Sequence, residues 1–386
     1  MALMNQILKL MADKNASDVY LSASAPALIK INGQSVPINS QLLTANAIHA
    51  LLSEILPQPR IDELESSGEL NIALTLPSVG RFRISAMRQR GSYAVVIRYI
   101  ANDVPPLAHL KLPPVLSDLI MQKRGLVLMV GATGTGKSTT LAAMIDHRNE
   151  NVCGHILTIE DPIEFFFKNK KSVVNQREVG ADTATFQVAL KNALRQAPDV
   201  IMIGEIRDRD TMDAALTYSQ TGHLCLATMH ANNSYQALNR ILNFYPQEVR
   251  STMLSDLAAS LKAIVSQRLL RALNGQRVAA VEILINSMLV AEFIEKGDFV
   301  SVKEAMEKST AEGSQMFEAH IAQLIAEGVI DRSEGLAHAD SPNNLMWRLQ
   351  NSSGKVAAPV EMNSTKHEAE MAEEAQFTHI SLDVSY

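Results

Sequence analysis

The first apolar positions, Leu3, Met4, Ile7, Leu8 and Met11, recur at three- and four-residue intervals and so share one face of a helix. Such a stripe lays a helix on its own domain more often than on a membrane surface. Apolar runs at 19–21 and 28–31, with Asn32-Gly33 as the turn signal, predict short strands and the start of a small mixed sheet. A helical pattern follows over 45–55. Residues 71–76, 80–87 and 93–99 then alternate or are rich in β-branched and aromatic residues, with Gly and Pro between them. Residues 1–100 are therefore expected to form an α+β domain.

Pro105, Pro106, Pro113 and Pro114 bracket a stiff stretch that suits no helix interior, and 101–114 is expected to be an interdomain linker. Beyond it, strands predicted at 126–130, 155–159, 200–203 and 224–228 alternate with helices starting at Lys137, over 185–196 and from Thr211. That alternation predicts an α/β domain, 115–349, built on a mainly parallel, doubly wound sheet. Helices are expected to dominate 251–334. Residues 350–386 are acidic and poor in large apolar residues, the composition of a disordered or interaction tail, although 377–384 regains a β-like pattern.

Apolar residues make up 47% and charged residues 20% of the 386 positions, enough for real cores. The net charge of −6 offers nucleic acid no general attraction, so none is expected as a partner. Cys153 and Cys225 are far apart and form no CxxC pair, which indicates neither a disulfide framework nor a zinc ribbon and fits a reducing cytosol. There is no secretory signal and no apolar run long enough to span a bilayer, so any membrane contact is expected to be peripheral.

Chemistry enters at Gly131-Ala132-Thr133-Gly134-Thr135-Gly136-Lys137-Ser138, which satisfies G-x-x-x-x-G-K-[ST] between a predicted strand and helix. Gly134 and Gly136 let backbone N–H groups crowd round phosphate oxygens at a positive helix N-terminus. Thr133, Gly134, Thr135, Gly136, Lys137, Ser138 and Thr139 are thus the candidate ATP-binding residues. Lys137 would reach the β- and γ-phosphates, Ser138 ligate Mg²⁺ and Thr139 meet the α-phosphate.

Hydrolysis also requires carboxylates. The apolar strand at 201–203 runs to Glu205, at the edge where α/β sheets place ligands. Glu205 is the Walker B candidate, acting on Mg²⁺ directly or through water; the alternative is a helix-start acid paired with Arg207 or Arg209. Glu160, Asp161 and Glu164 end another strand. Glu164 is the candidate for positioning and deprotonating water, but spacing alone does not assign roles among the three. His223 and His230 flank a third strand at opposite ends, and His230 is placed either to sense a γ-phosphate or to serve only structurally.

This combination resembles the secretion-type ring ATPases, and within them the type IV pilus retraction motors of the PilT/PilU family. The Walker A loop, the acidic box Glu160 to Glu164, the atypical Walker B Gly204-Glu205-Ile206-Arg207-Asp208 and the histidine box His223 and His230 occur in the family's order. Ser17-Asp18-Val19-Tyr20-Leu21 resembles its opening strand, and the likeness runs to about Leu349. It implies a PAS-like N-terminal domain, a RecA-like ATPase domain and a homo-hexamer binding ATP between the two. It also implies arginines that complete the phosphate site: Arg83 and Arg98 first, with Arg81, Arg88 and Arg90 weaker. An inner-membrane pilus platform protein is the implied partner, at a cytoplasmic face.

Extension and secretion motors of this group usually carry a four-cysteine zinc insertion, which two cysteines cannot supply, so the resemblance favours retraction. The stretch 288–294 lacks the arginine usual in retraction motors and an acidic tail follows 351, which places the chain closer to PilU, as an assistant to a sister PilT-like motor. An ATP-binding scaffold with little hydrolysis and a RecA-like nucleic-acid translocase are the other readings of the same core.

Overall fold

The computed structural model describes residues 3–31, 33–77, 79–100, 104–308 and 311–352, residue 352 by its backbone. They fall into two compact units that divide between residues 103 and 104. Asn32 of the expected turn, residues 101–103 of the expected linker and the tail from 353 lie outside the described residues.

In the first unit, helix α1 (Leu3–Asp13) precedes strands β1 (Asp18–Ser22), β2 (Pro26–Ile31) and β3 (Gln34–Leu42). Helices α2 (Ala45–Ser53) and α3 (Gln58–Ser67) lead to β4 (Glu69–Leu76), β5 (Gly80–Gln89) and β6 (Ser92–Ile100). The sheet order is β3-β2-β1-β6-β5-β4 and every pairing is antiparallel, so the expectation of a mixed sheet is corrected. β1, β2 and β3 are linked by hairpins, as are β4, β5 and β6, and the β1–β6 pairing joins the two sets.

Met4, Ile7, Leu8 and Met11 are buried, so α1 covers its own domain. The inner sheet face supplies Phe82, Ile84, Ala86, Val95 and Ile97 to the same core. Alternation turns Arg83 and Arg98 to the other, exposed face. β3, absent from the sequence reading, is an edge strand whose polar run and Pro37 hide its character.

The second unit carries α4 (Val115–Ile120), β7 (Gly125–Val130), α5 (Lys137–Asn151), β8 (Gly154–Glu160), β9 (Ser172–Glu178) and α6 (Phe186–Ala193). There follow β10 (Val200–Ile203), α7 (Arg209–Gln220), β11 (Leu224–Met229), α8 (Ser234–Asn243), α9 (Arg250–Ser260), β12 (Leu261–Arg271) and β13 (Arg277–Ile285). Helices α10 (Met288–Lys296), α11 (Phe299–Glu307), α12 (Phe317–Ala326), α13 (Arg332–His338) and α14 (Pro342–Ser352) complete it. The sheet order is β13-β12-β7-β11-β10-β8-β9, parallel except for the β12–β13 hairpin.

All six residues of β7 are buried, because helices cover both faces of the sheet. Leu126, Leu128 and Val130 meet residues of α6 to α11, while Val127 and Met129 meet α4, α5 and Leu107. Leu107 lies in a short 3₁₀ helix, so 104–114 packs on this unit and does not hang free as a linker. Helices outweigh strands over 251–334 as expected, but β12 and β13 stand among them where the sequence predicted no strand. Both strands are buried over much of their length on both faces, so they lack the alternation of period two that marks a half-buried strand. α14 likewise extends three residues past 349, where the tail was expected to begin.

Phe82 is fully buried at the centre of the first unit's core. Phe82→Ala is expected to destabilise this unit by about 3–5 kcal/mol. Hydrogen exchange should show the loss in β4 to β6; protection there equal to wild type would contradict this account of the core.

Candidate active site

β7 ends at Val130 and the chain enters the glycine loop before α5 begins at Lys137. Gly134 and Gly136 have φ of +79° and +85°, a region open to glycine with little strain. A Cβ on Gly131 would lie 2.7 Å from the Gln267 carbonyl oxygen, and one on Gly136 would lie 2.8 Å from the Gln267 amide nitrogen. The loop is thus a cradle of backbone at the start of a helix, with no room for side chains at two of its glycines.

Lys137 is buried beneath it and donates from Nζ to the carbonyls of Gly131 and Ala132, both at 2.8 Å. Burial lowers its pKa, and the negative charges of Glu205 and Glu164 act in the opposite sense. Thr135 closes the loop by donating to the Ala132 carbonyl at 3.0 Å. Ser138 lines the cavity with Thr133, Gly134 and Lys137, whereas Thr139 faces a second cavity on the other side of the loop, beside Gly136, Leu269 and Val278.

Across the first cavity stand the carboxylates. Gly204 follows β10, and a Cβ there would lie 3.0 Å from the Ile159 carbonyl oxygen, a tight approach that glycine avoids where β10 runs beside β8 before Glu205. The Gly204 N–H donates to Ile159 and the Ile206 N–H to Thr228, and Asp208 caps α7 through Thr211. Glu205 is held between these anchors. It accepts from Arg207 Nε at 2.8 Å, and His230 Nε2 lies 3.3 Å from its other oxygen. The Arg207 pairing proposed as the plain alternative therefore exists, and it exists inside the cavity. The His230 carbonyl is in turn held by Arg240 at 2.9 Å.

Glu160 ends β8 and is buried, accepting from Thr158 at 2.6 Å and Gln176 at 3.1 Å. Burial pushes its carboxyl up to about 7 against these hydrogen bonds. Gln176 also bonds the Phe165 carbonyl and the Phe167 N–H, and Glu178 accepts from the Ile163 N–H. These two β9 residues shape the acidic loop and leave Glu164 exposed at the cavity wall. Glu160, Asp161, Glu164, Glu205, Arg207 and His230 thus share one cavity with Lys137 and Ser138.

His223 lies at the opposite end of β11, next to Thr221 and the Tyr218 carbonyl, away from His230. Arg83 and Arg98 belong to the first unit, directly opposite each other in the β5–β6 register. Two cations facing each other across a ladder repel, and Asp18, 2.9 Å from Arg98, offsets this. Gln176, Glu178 and Gln267 were missed from the sequence because no motif marks an amide or acid whose partners are distant in the chain.

A family of type II/IV secretion system proteins matches residues 1–341. The type IV pilus ATPase PilU of Pseudomonas aeruginosa is 46% identical over 89% of this chain and 91% of its own length. The type IV pilus retraction ATPase PilT of the same organism is 37% identical over 88% and 98%. The crystal structure of the pilus retraction motor PilT with bound ADP superposes with a TM-score of 0.83 at 35% identity, covering 90% of this chain and 99% of that one. The chain belongs to the PilT/PilU family. It is an ATPase of that family, with the α/β architecture of the PilT motor, and it is more similar to the PilU relative than to the PilT relative. Among its described residues no helix is long and apolar enough to cross a membrane.

Glu160 carries a folded-state pKa of about 7 against an ordinary 4.5. Between those values the folded ATPase keeps a proton that the unfolded chain has lost, so this group's contribution to stability falls as pH rises through the window. Glu160→Gln is expected to flatten that part of the profile. Urea midpoints of both proteins at pH 5 and 7.5 test it, and parallel profiles would refute it.

Proposed function

We propose that this chain hydrolyses Mg-ATP as a homo-hexameric ring motor for type IV pilus retraction, working in the PilU manner beside a PilT-like sister ATPase. The observation that carries the reading is the convergence of Lys137, Ser138, Glu164, Glu205 and His230 on one cavity at the end of the sheet. A pure scaffold would need the glycine cradle and the lysine, but not two further carboxylates and a histidine on the opposite wall.

The cradle from Thr133 to Ser138 holds the phosphate chain by backbone N–H groups and Lys137. Its close-packed glycines and buried lysine fit that ligand. The cavity beside Thr139, Leu269 and Val278 takes the nucleoside, Thr139 lying on that side of the loop. Mg²⁺ would be held by the Ser138 hydroxyl, by Glu205 directly or through water, and by phosphate oxygens, and it neutralises charge on the transferred group. No group of three or more His, Cys, Asp or Glu side chains suited to a metal occurs among the described residues, in keeping with an ion held largely by its substrate.

Glu164, exposed at the wall, orients water and accepts its proton. His230 couples Glu205 to the β11 loop and reports the state of the γ-phosphate. Arg83 and Arg98 supply cationic charge to the phosphate site within the ring, as the resemblance implies. Changes at these contacts alter how subunits pack and are passed to an inner-membrane platform protein from the cytoplasmic side.

Lys137→Ala is expected to abolish both fluorescent-ATP binding and turnover. Glu205→Gln and Glu164→Gln should retain binding and lose about 10²- to 10⁴-fold in single-turnover rate. Wild-type protein that binds ATP without turning it over, alone or with its sister motor, would establish the scaffold instead, and stimulation by DNA would favour a translocase.

A further inference from the structure

We propose that Gln267 is a positioning residue that locks the phosphate loop in its binding conformation. β12 runs parallel to β7, and their last paired residues are Ser266 and Val130. Gln267 therefore stands one step further on, where β7 gives way to the loop at Gly131. It is only 2% exposed. From there Nε2 donates to the Thr135 carbonyl at 2.9 Å, and Oε1 accepts from the Thr140 hydroxyl at 2.8 Å. One primary amide thus ties the crest of the loop to the first turn of α5.

This bridge demands a donor and an acceptor at fixed separation, which among uncharged side chains of this length only glutamine provides. Its partners are buried or half-buried, so losing the bridge leaves the Thr135 carbonyl and Thr140 hydroxyl without it where water does not freely replace it. The same residue fills the space that a side chain at Gly131 or Gly136 would need. The loop's open, ligand-ready shape is thereby held from outside the motif by a strand more than 120 residues later.

The next residue secures the opposite wall. Side chains alternate along β12, and Arg268 donates to the Asn232 carbonyl at 3.2 Å and pairs with Asp340. Asn232 lies two residues beyond His230. Adjacent residues of one strand therefore set the phosphate loop and the segment that follows His230.

The proposal rests on the reading of Gly131 to Ser138 as the phosphate-binding loop. When the competent shape is only one of several a freed loop samples, apparent affinity falls by the competent fraction while the carboxylates and His230 remain in place. Gln267→Met keeps the volume and removes both hydrogen bonds. Gln267→Glu keeps the Thr140 bond, removes the donor and sets a charge against the Thr135 carbonyl. In the full-length protein both are expected to raise KM for ATP and the Kd of a fluorescent ADP analogue about tenfold or more, with kcat at saturation within about threefold of wild type. The effect of Gln267→Glu should be at least as strong as that of Gln267→Met.

A merely structural role would lower the folded fraction, hence kcat, at unchanged KM. Hydrogen exchange of residues 131–138 in nucleotide-free protein should also quicken selectively. A KM within about twofold of wild type in both variants, or a fall in kcat alone, would overturn the clamp. Failure of wild type itself to bind the ADP analogue would overturn the phosphate-loop reading and the clamp with it.

Discussion

The close approach of β7, β12 and α5 around the glycine loop is the constraint on which the rest of the second unit depends. A strand buried on both faces must pass its chain into a helix while leaving backbone N–H groups free to meet an anion. Gly131 and Gly136 satisfy this because a Cβ on either would collide with Gln267. Lys137 can then fold under the loop and bond to two of its carbonyls. The loop is therefore shaped from both sides: the glycines permit the turn, while the amide of β12 and the lysine determine which of the permitted shapes is adopted.

Electrostatics organise what faces the loop. One buried cation, Lys137, looks towards Glu164 and Glu205, and burial of the lysine opposes their attraction. Glu205 is also engaged by Arg207 and lies beside His230, so its two oxygens point to different neighbours. Glu160 borders the same cavity but is buried, which raises its pKa and suits it to holding the strand end and the acidic loop through Thr158 and Gln176. Three acids close together in sequence thereby acquire different environments: Glu160 is buried, whereas Asp161 and Glu164 are exposed.

The first unit solves a different problem. Its antiparallel sheet buries one face under three helices and leaves a polar face on which Arg83, Arg98 and Asp18 stand in register. Alternation along β5 forces Arg83 outward because Phe82 and Ile84 are needed inward. The arginines implied by family resemblance are thus residues whose exposure follows from the core pattern itself.

Much of this was legible in the sequence. The stripe of α1, the strands β7, β8, β10 and β11 and the Walker loop all rest on local rules: helical period, apolar runs bounded by turns, and glycines where backbone must crowd. Those rules do not depend on what is packed nearby. Tertiary structure alone decided the rest. β12 and β13 read as helix because burial on both faces erases the period that distinguishes them, and β3 and β9 are polar edge strands with weak signals. Glu160, Asp161 and Glu164 were equivalent by spacing, and only burial sets Glu160 apart from the other two. Gln176, Glu178 and Gln267 were invisible because their partners, backbone groups together with the Glu160 and Thr140 side chains, are brought near by the sheet order, which places β9 beside β8 and β12 beside β7. Local sequence specifies which conformations a segment can adopt; the identity of its neighbours, and hence the hydrogen bonds and pKa values of its side chains, is set by strand order across the whole sheet.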